Sequence, residues 1–333
     1  MMQNRYINVR QYLPDHWDAV VSESTAFAPV NIALIKYWGK RDEQLYLPVT
    51  DSFSIALQHG TTTTIRRSKH CDRVECNGNE IKAEEPFFQR AIAFLDLFRP
   101  SPEYYFYLCT FNDLPTAAGL ASSASGFAAL IFALNRFFGW NGTNEQLSAL
   151  ARLGSGSASR SLYPGFVEWK AGIKSSGEDS YAVSYPEIWP ELRLGVFLVS
   201  EKQKPISSRE AMKRTVATSP LYAVWPQQVR SDMKTIKHAI AKRDFDLFGQ
   251  IVERNALCMH ATMHTSTPVL SYWLPETVQT MSRIWKARQE GRPLYFTMDA
   301  GPNVKLLFLE QDEPFVSQHF PELISLPIQW DAW

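Results

Sequence analysis

Apolar positions in the first half of the chain predict strands interrupted by one helix. Residues 25–34 are small and apolar, and residues 50–65 alternate around a run of Thr, so both ranges favour strands. Residues 104–111 alternate in the same way. Residues 86–98 instead have helical spacing, with five apolar side chains on one face. Those side chains are Phe87, Ala91, Phe94, Leu95 and Phe98.

Small residues and polar caps mark the elements that follow. Residues 115–126 form a turn of small residues, and the helix after it runs through Phe138. A short helix is predicted for residues 144–153, because Asn141 or Thr143 can cap its first turn.

The second half of the chain has strands and helices of its own. Residues 192–199 predict a compact apolar strand, and two long helical patterns start near residues 220 and 245. Residues 294–298 predict a strand that runs into a loop containing an Asp, and residues 304–310 fit either a strand or a helix.

Length and punctuation indicate two lobes. The chain has 333 residues, whereas single hydrophobic cores stop growing at roughly 250–300 residues. A stretch bearing Pro and Gly lies before the strand at 192, so we expect the boundary near residue 188. The predicted lobes are 1–188, which includes an extension of mixed polarity at 1–24, and 189–333.

Composition is that of an ordinary globular protein. Lys and Arg total 34 and Asp and Glu total 34, so the net charge is zero and nothing suggests a nucleic-acid or membrane partner. A basic cleft remains compatible with this total. Four cysteines without zinc-site spacing indicate reduced thiols rather than a disulfide framework. They are Cys71, Cys76, Cys109 and Cys258.

The sequence has no apolar stretch long enough for a membrane span or a targeting segment, which favours a cytoplasmic location. The longest, residues 126–140, is interrupted by Asn135 and Arg136 and is too short to span a bilayer. No apolar targeting core precedes Asp15.

The most informative local feature is the small-residue turn at 115–126. Small residues let the backbone approach an anion closely, and the following helix directs free N–H groups and its positive end at that anion. The same composition also fits a turn that packs a helix tightly on a sheet, and the Walker pattern is absent. The Ser-Ser-Ala-Ser-Gly sequence at the helix start favours phosphate binding. The candidate ATP contacts are Pro115, Ala118, Gly119, Leu120, Ala121, Ser122, Ser123, Ser125 and Gly126.

Two polar runs are candidate anion sites. Residues 29–41 combine cations with aromatic residues, and Lys is a point-charge partner for phosphate, although such a run also fits a solvated turn. Its candidates are Asn31, Lys36, Tyr37 and Lys40. Residues 154–161 place four Ser around Arg160, which fits an anion cradle or a flexible surface loop.

Two further features have simpler interpretations. Residues 207–212, which include Arg209, fit a helix N-cap with a surface cation. His260 and His264 have the spacing of zinc ligands on a helix, but the zinc-protease pattern needs a Glu where Ala261 stands. We therefore expect these histidines to be structural or to face solvent.

Asp299 is the candidate acid. It follows an apolar strand and precedes Ala300-Gly301-Pro302, which fits either a turn Asp that bonds its own backbone or a catalytic carboxylate. If Asp299 faces Lys36 and Arg160, the cations would keep it ionised and orient it.

Five segments together resemble the mevalonate diphosphate decarboxylases of the GHMP kinase superfamily. They occur in the family's order and cover most of the chain. They are 28–40, 47–54, 115–126, 154–169 and 298–303. Lys-Tyr-Trp-Gly-Lys in the first and Met-Asp-Ala-Gly-Pro-Asn in the last indicate this branch rather than the superfamily alone.

The resemblance implies a role for each candidate. Asp299 would position or deprotonate a tertiary hydroxyl, Lys36 would neutralise charge, and Asn31 and Arg160 would lie near the substrate carboxylate and the transferred phosphoryl group. The implied contacts of the substrate diphosphate and its surroundings are Tyr37, Lys40, Ser155, Ser157, Arg209 and Met212. ATP would bind with Mg²⁺, and Ser123 is a possible metal contact while no residue is expected as a direct structural metal ligand.

The resemblance also implies the fold and the reaction. The expected fold is α+β and two-lobed, with an N-terminal lobe like ribosomal protein S5 domain 2, a ferredoxin-like C-terminal lobe, and the active site in the cleft between them. The expected activity is ATP-dependent decarboxylation of mevalonate 5-diphosphate, by a homodimer.

Other activities remain open from the sequence. One is a sister decarboxylase of mevalonate 5-phosphate or 3,5-bisphosphate, and another is a mevalonate 3-kinase, in which the Asp–Lys–Arg set is expected to be incomplete. A third is an inactive nucleotide- or phosphate-binding protein.

Overall fold

The structure is a computed structural model that describes residues 9, 12–14, 17–113, 122–202 and 204–332. Its strands are β1 (Glu23–Ile35), β2 (Lys40–Asp42), β3 (Leu47–Pro48), β4 (Ser52–Ser68), β5 (Arg73–Cys76), β6 (Asn79–Ile81), β7 (Tyr105–Asn112), β8 (Phe166–Trp169), β9 (Ala182–Ser184), β10 (Leu192–Phe197), β11 (Tyr295–Met298), β12 (Val304–Leu309) and β13 (Ile324–Ser325).

The α-helices are α1 (Pro86–Leu95), α2 (Ser122–Phe138), α3 (Asn144–Arg152), α4 (Ser208–Thr218), α5 (Trp225–Lys242), α6 (Phe245–His264), α7 (Pro275–Gln289) and α8 (Glu313–His319). Short 3-10 helices cover Gly156–Arg160, Pro220–Val224 and Glu310–Asp312.

β4 is the central strand of a seven-stranded sheet. β1 pairs antiparallel along one edge of β4, while β8 and β7 pair with its first and second halves on the other edge. The order is β6-β5-β7-β4-β8-β9 with β1 added at β4, and only the β5–β7 pair is parallel among the described strands. β4 therefore connects the strands of the first half of the chain into one sheet, because β1, β7 and β8 all pair with it.

β1 is irregular where it approaches the candidate residues. Its register with β4 shifts between Pro29 and Asn31 and again between Ala33 and Ile35. Bulges of this kind redirect side chains and are common beside active sites. They precede Lys36, which comes directly after the strand.

The second sheet has four strands in the order β11-β12-β10-β13, and its described pairs are antiparallel. β11 ends at Met298, so Asp299 is the first residue beyond the strand. α6 contacts both β11 and β1, which brings the ends of those two strands together.

One buried apolar cluster joins the two sheets. It contains Ile32 of β1 and Phe53 of β4 together with Ile236 of α5 and Phe248 of α6, each 0–1% exposed. Burial of apolar side chains of this size contributes about 1.5–3 kcal/mol each. The two sheets, which flank a cleft, therefore share one continuous hydrophobic core.

Most elements predicted from the pattern are present, with some corrections. Thr143 is the N-cap of α3 and forms a capping box with Gln146. Residues 304–310 are a strand rather than a helix through Leu309. Phe87, in the first turn of α1, is 36% exposed, whereas Ala91, Phe94 and Leu95 of the predicted face are buried. The pattern also missed α7, α8 and the short strands β2, β3, β5, β6, β8, β9 and β13.

The helices of the described part do not reach the length and apolar character that a membrane span requires.

Candidate active site

A cavity of about 400 Å³ lies between the two sheets, and its walls are strongly cationic. Its lining holds six cations and, among the described residues, a single carboxylate, that of Asp299. The cations are Lys36, Lys40, Arg90, Arg160, Lys204 and Arg209. A cleft with one sign of charge attracts anionic ligands. The zero net charge of the chain therefore conceals a local anion site.

Asp299 is held between two lysines. Its Oδ1 accepts a hydrogen bond from Lys36 Nζ at 2.9 Å, and its Oδ2 accepts one from Lys305 Nζ at 2.8 Å. The two lysine side chains are 2% and 4% exposed, whereas the Asp299 side chain keeps 40% of its surface accessible. The carboxylate is thus fixed from behind and open toward the cavity.

Burial and charge act in opposite directions on these groups. Burial alone would raise the pKa of Asp299, but Lys305 and Lys36 outweigh it and hold the pKa well below its usual range. For Lys36, burial dominates and lowers the pKa to about 8, with Asp299 offsetting only part of the effect. Asp299 is therefore ionised at neutral pH, and Lys36 titrates close to it.

The backbone around Lys36 is fixed by a buried polar network. Lys36 N donates to Asn255 Oδ1 at 2.8 Å, and Asn255 Nδ2 donates to Asp232 Oδ2 at 2.8 Å. The Lys36 ammonium also donates to the carbonyl of Ala33 at 2.7 Å, beside the second bulge of β1. α5 and α6 thereby position a residue of the first sheet.

The Asp299 loop is anchored at several points. His260 Nε2 lies 3.0 Å from the Asp299 carbonyl oxygen, which also accepts from Gly301 N at 2.7 Å. Asn303 Oδ1 accepts from the backbone N–H groups of Val199 and Ser200, both at 3.0 Å. Because α6 and the segment that follows β10 hold this loop, the backbone that carries the carboxylate has little freedom to move.

Arg160 and Asn31 form a second buried unit. Arg160 Nε donates to Asn31 Oδ1 at 3.2 Å, and Arg160 Nη1 donates to Ser52 Oγ at 2.6 Å. Asn31 Nδ2 in turn donates to Ser161 Oγ at 2.8 Å. Burial lowers the pKa of Arg160 to about 10. The guanidinium remains charged at neutral pH and lines the cavity.

Six further candidates line the same cavity; they are Tyr37, Lys40, Ser155, Ser157, Arg209 and Met212. Lys40 Nζ lies 2.6 Å from Glu43 Oε2, and Ser155 Oγ lies 3.2 Å from Ser157 Oγ. Burial raises the pKa of Tyr37 far above its usual range, and its hydroxyl has no hydrogen-bond partner. A buried hydroxyl without a partner fits a group that bonds a ligand.

The candidate ATP loop is only partly described. Pro115, Ala118, Gly119, Leu120 and Ala121 lie outside the described residues, and so does the side chain of Ser122. Ser123 lines both the main cavity and a smaller one of about 80 Å³, which Gly126 also lines. Ser125 is 0% exposed and shares a hydrogen bond of 2.7 Å with Thr61 of β4. Its hydroxyl faces the sheet rather than the cavity, contrary to the sequence expectation.

Comparison with known proteins assigns the chain to a family. A family model for the diphosphomevalonate decarboxylase-like N-terminal domain matches residues 28–182, and one for the mevalonate 5-diphosphate decarboxylase C-terminal domain matches residues 195–332. Diphosphomevalonate decarboxylase of Rattus norvegicus is 39% identical over 310 residues, which cover 86% of this chain and 76% of that protein. The chain belongs to the diphosphomevalonate decarboxylase family.

Solved structures of the family confirm the fold. Mevalonate diphosphate decarboxylase from Staphylococcus aureus has a TM-score of 0.88 at 35% identity, covering 93% of this chain and 97% of that one. The enzyme from Enterococcus faecalis has a TM-score of 0.84 at 38% identity, covering 92% and 97%. The α+β, two-lobed GHMP kinase-like fold expected from the resemblance is therefore correct.

Two lysines at this site, Lys305 and Lys204, were not predicted from the sequence. Lys305 donates a hydrogen bond directly to Asp299. Lys204 lines the cavity and packs closely against Gly301, since a Cβ added to Gly301 would lie 3.2 Å from the Cε of Lys204. Burial and then Lys305 lower the pKa of Lys204. A lysine inside the apolar run of β12 was an available signal, because Lys is almost never fully buried without a partner.

His260 has a more defined position than the sequence suggested. It is fully buried, and burial lowers its pKa to about 3, so the ring is neutral. A neutral ring that bonds a carbonyl oxygen through Nε2 carries its proton on Nε2. His264 and Trp273 pack against it, with ring centroids 6.2 and 5.5 Å away.

Proposed function

We propose that this protein catalyses the ATP-dependent decarboxylation of mevalonate 5-diphosphate to isopentenyl diphosphate, releasing ADP, phosphate and CO₂. The observation that carries the proposal is the Lys36–Asp299–Lys305 unit at the wall of a cationic cavity. Membership of the family supports this reaction. The relative from Enterococcus faecalis has an ATP binding mechanism that mevalonate diphosphate mediates, which supports the same pair of substrates. The reaction belongs to isoprenoid biosynthesis through the mevalonate pathway.

The diphosphate would bind at the part of the cavity wall that carries Lys40, Ser155, Ser157 and Arg209. Hydroxyl and cationic donors converge there, and charge-assisted bonds to phosphate are stronger than neutral ones. The N-terminus of α4, with Ser208 and Arg209 on the cavity wall, adds the positive end of a helix. The Tyr37 hydroxyl would find its missing partner on the substrate, and Met212 would contact the substrate's apolar carbons.

Phosphoryl transfer follows from the position of Asp299. The tertiary hydroxyl of the substrate donates a hydrogen bond to the open face of the carboxylate, while its oxygen attacks the terminal phosphorus of ATP. The new O–P bond forms as the bond to the ADP oxygen breaks, and the hydroxyl proton passes to Asp299. Positioning and charge stabilisation dominate such transfers, so a carboxylate of low basicity suffices when it is oriented by Lys36 and Lys305.

Decarboxylation then needs no further acid. The C–O bond to the new phosphate breaks with its electron pair, and positive character develops at the tertiary carbon. The C–C bond to the carboxylate breaks, its electron pair forms the alkene, and CO₂ leaves. Arg160, oriented by Asn31, would hold the carboxylate and the phosphoryl oxygens before this step, and Lys36 would stabilise the departing phosphate.

The residues present fit Mg²⁺ delivered with ATP. Among the described residues no group of three or more His, Cys, Asp or Glu side chains is arranged to hold a metal ion. Mg²⁺ typically keeps several waters and binds through phosphates and one or two protein oxygens. It would neutralise charge on the ATP phosphates, and the Ser123 hydroxyl at the start of α2 is the candidate protein contact.

We also propose a lobe boundary near residue 188, a homodimeric assembly and a cytoplasmic location. Two observations support the boundary: the first sheet ends with β9 at Ser184, and the second begins with β10 at Leu192. The dimer is what the family resemblance implies, and the location is what the apolar stretches and the reduced cysteines of the sequence suggest. Light scattering on purified protein tests the dimer, since a monomer at micromolar concentration would contradict it.

The reaction itself is tested by measuring ADP and CO₂ separately. The protein is incubated with ATP, Mg²⁺ and mevalonate, its 5-phosphate, its 5-diphosphate or its 3,5-bisphosphate. We expect equal ADP and CO₂ from the 5-diphosphate alone. ADP without CO₂ would indicate a 3-kinase, CO₂ from another phosphorylated form would assign the sister activity, and neither product would indicate a binding protein.

A further inference from the structure

Tyr46 is a buried aromatic residue in an uncommon backbone conformation at the cavity wall. It lies in the turn between β2 and β3, is 8% exposed and has a φ of 54°. Positive φ is rare for a residue with a bulky side chain and persists only where the surroundings enforce it. Residues with such backbone conformations are common at ligand sites, which suggests that the position of the Tyr46 ring has a function.

The turn that carries Tyr46 is held from both sides. The Leu45 N–H donates to Asp42 Oδ1 at 2.7 Å, and the Leu45 carbonyl accepts from Arg152 Nε at 2.9 Å. Arg152 is itself fully buried and also donates to the carbonyl of Gly177 at 2.9 Å. The residue before Tyr46 therefore has fixed peptide groups, which stabilise the left-handed conformation and the direction of the ring.

The Tyr46 ring contacts one cation from each half of the chain. Lys40 Nζ of β2 lies 4.9 Å from the ring centroid, and Arg209 Cζ of α4 lies 5.1 Å from it. Both distances fall within the range in which the negative face of an aromatic ring attracts a cation. The two cations also line the cavity. The ring therefore links a cation of β2 to a cation of α4, while Lys40 also pairs with Glu43 Oε2 at 2.6 Å.

We propose that Tyr46 is a positioning residue for recognition of a diphosphate group, acting through Lys40 and Arg209. This inference rests on the proposed function, which places the substrate diphosphate at these two cations. A diphosphate carries charge on two phosphorus centres and can engage both cations at once, whereas a single phosphate engages them less fully. Because Tyr46 fixes the Lys40 and Arg209 side chains before binding, the anion loses less binding free energy to the ordering of these side chains.

The test separates the ring's electrostatics from its shape. Binding of inorganic pyrophosphate and of orthophosphate is measured by calorimetry on the full chain, with the ATP site filled by a non-hydrolysable ATP analogue and Mg²⁺. The variants are Tyr46→Leu, Tyr46→Phe and a replacement of Tyr46 by pentafluorophenylalanine, which keeps the ring's shape but reverses the charge of its face. The last variant serves if Tyr46→Leu fails to fold.

We expect the pyrophosphate Kd to rise about five- to thirty-fold in Tyr46→Leu and in the fluorinated variant, and to stay within about twofold in Tyr46→Phe. Orthophosphate binding should change less. Equal pyrophosphate affinity in all variants, a loss in Tyr46→Phe that matches Tyr46→Leu, or full affinity in the fluorinated variant would each overturn the proposal. Binding needs no turnover, so ring-dependent affinity without CO₂ release would contradict the proposed function alone.

Discussion

Lys305 Nζ lies 2.8 Å from Asp299 Oδ2, on the oxygen that Lys36 leaves free. The carboxylate therefore has a cation on each oxygen, one from the strand after its own loop and one from the far end of β1. Asp299 is oriented by this pairing, which no single segment of the chain specifies.

We predict that Lys305→Met lowers kcat by roughly 100-fold, because a carboxylate held by Lys36 alone can turn away from the substrate hydroxyl. The KM for ATP should stay within about twofold. Steady-state kinetics check this result, with Lys286→Met as the control, since the Lys286 side chain is 78% exposed and lies in α7. Unchanged kcat in Lys305→Met would remove Lys305 from its role.

Much of this arrangement could be predicted from the sequence. The segments that hold Lys36, Arg160 and Asp299 each match the family pattern, and that resemblance predicts the three as one constellation, whereas the residues alone leave their meeting open. The pattern of apolar spacing also identified β1, α1, α2 and α6, since their buried faces recur with the correct period.

The rest depends on tertiary contacts that spacing does not encode. Lys305 belongs to a strand whose other residues through Phe308 are buried and apolar, so its charge has meaning only once β12 lies beside the Asp299 loop. Tyr46 resembles an ordinary hydrophobic residue until its φ and its two cations are seen. Ser125 fits a phosphate ligand by position, but the helix turns its hydroxyl toward Thr61.

His260→Phe should lower kcat by about tenfold, because it removes the donor that anchors the Asp299 carbonyl while keeping a ring in the buried site. The matched control is His264→Phe, one helical turn further on, whose Nε2 has no hydrogen-bond partner. A structural effect alone would lower the unfolding temperature in both variants without separating their kcat values. Equal kcat in the two variants would contradict the positioning role.

The two serines of α2 should behave differently. Ser123→Ala should raise the KM for ATP about fivefold, because it removes a hydroxyl from the cavity wall. Ser125→Ala should leave that KM unchanged and lower the free energy of unfolding by about 1 kcal/mol, because the buried hydrogen bond with Thr61 is lost while Thr61 keeps its bond to Asn112 Oδ1. Kinetics and urea unfolding on both variants check the pair, and the reverse pattern would show that Ser125 is the phosphate contact.

The rate should decline at alkaline pH. Burial lowers the pKa of Lys36 to about 8, with Asp299 raising it and Lys305 and Arg160 lowering it. Lys36 carries its charge below this pKa and loses it above, so kcat should fall by about tenfold per pH unit well above 8. Asp299 stays ionised across this range and contributes no change. In Lys305→Met the decline should move to higher pH, because a neighbouring charge that lowers the pKa of Lys36 is gone.

A pH profile that rises through 8 would show that neutral Lys36 is the active form, which would make it the proton acceptor. A decline that does not move in Lys305→Met would assign it to another group.

The most direct measurement compares wild type with Asp299→Asn for ATP-analogue binding and for release of ADP and CO₂ from mevalonate 5-diphosphate. We predict that wild type releases ADP and CO₂ in equal amounts, and that Asp299→Asn binds the analogue normally while both products fall by about 10³-fold or more. ADP without CO₂ from wild type, or near-normal turnover by Asp299→Asn, would contradict the account.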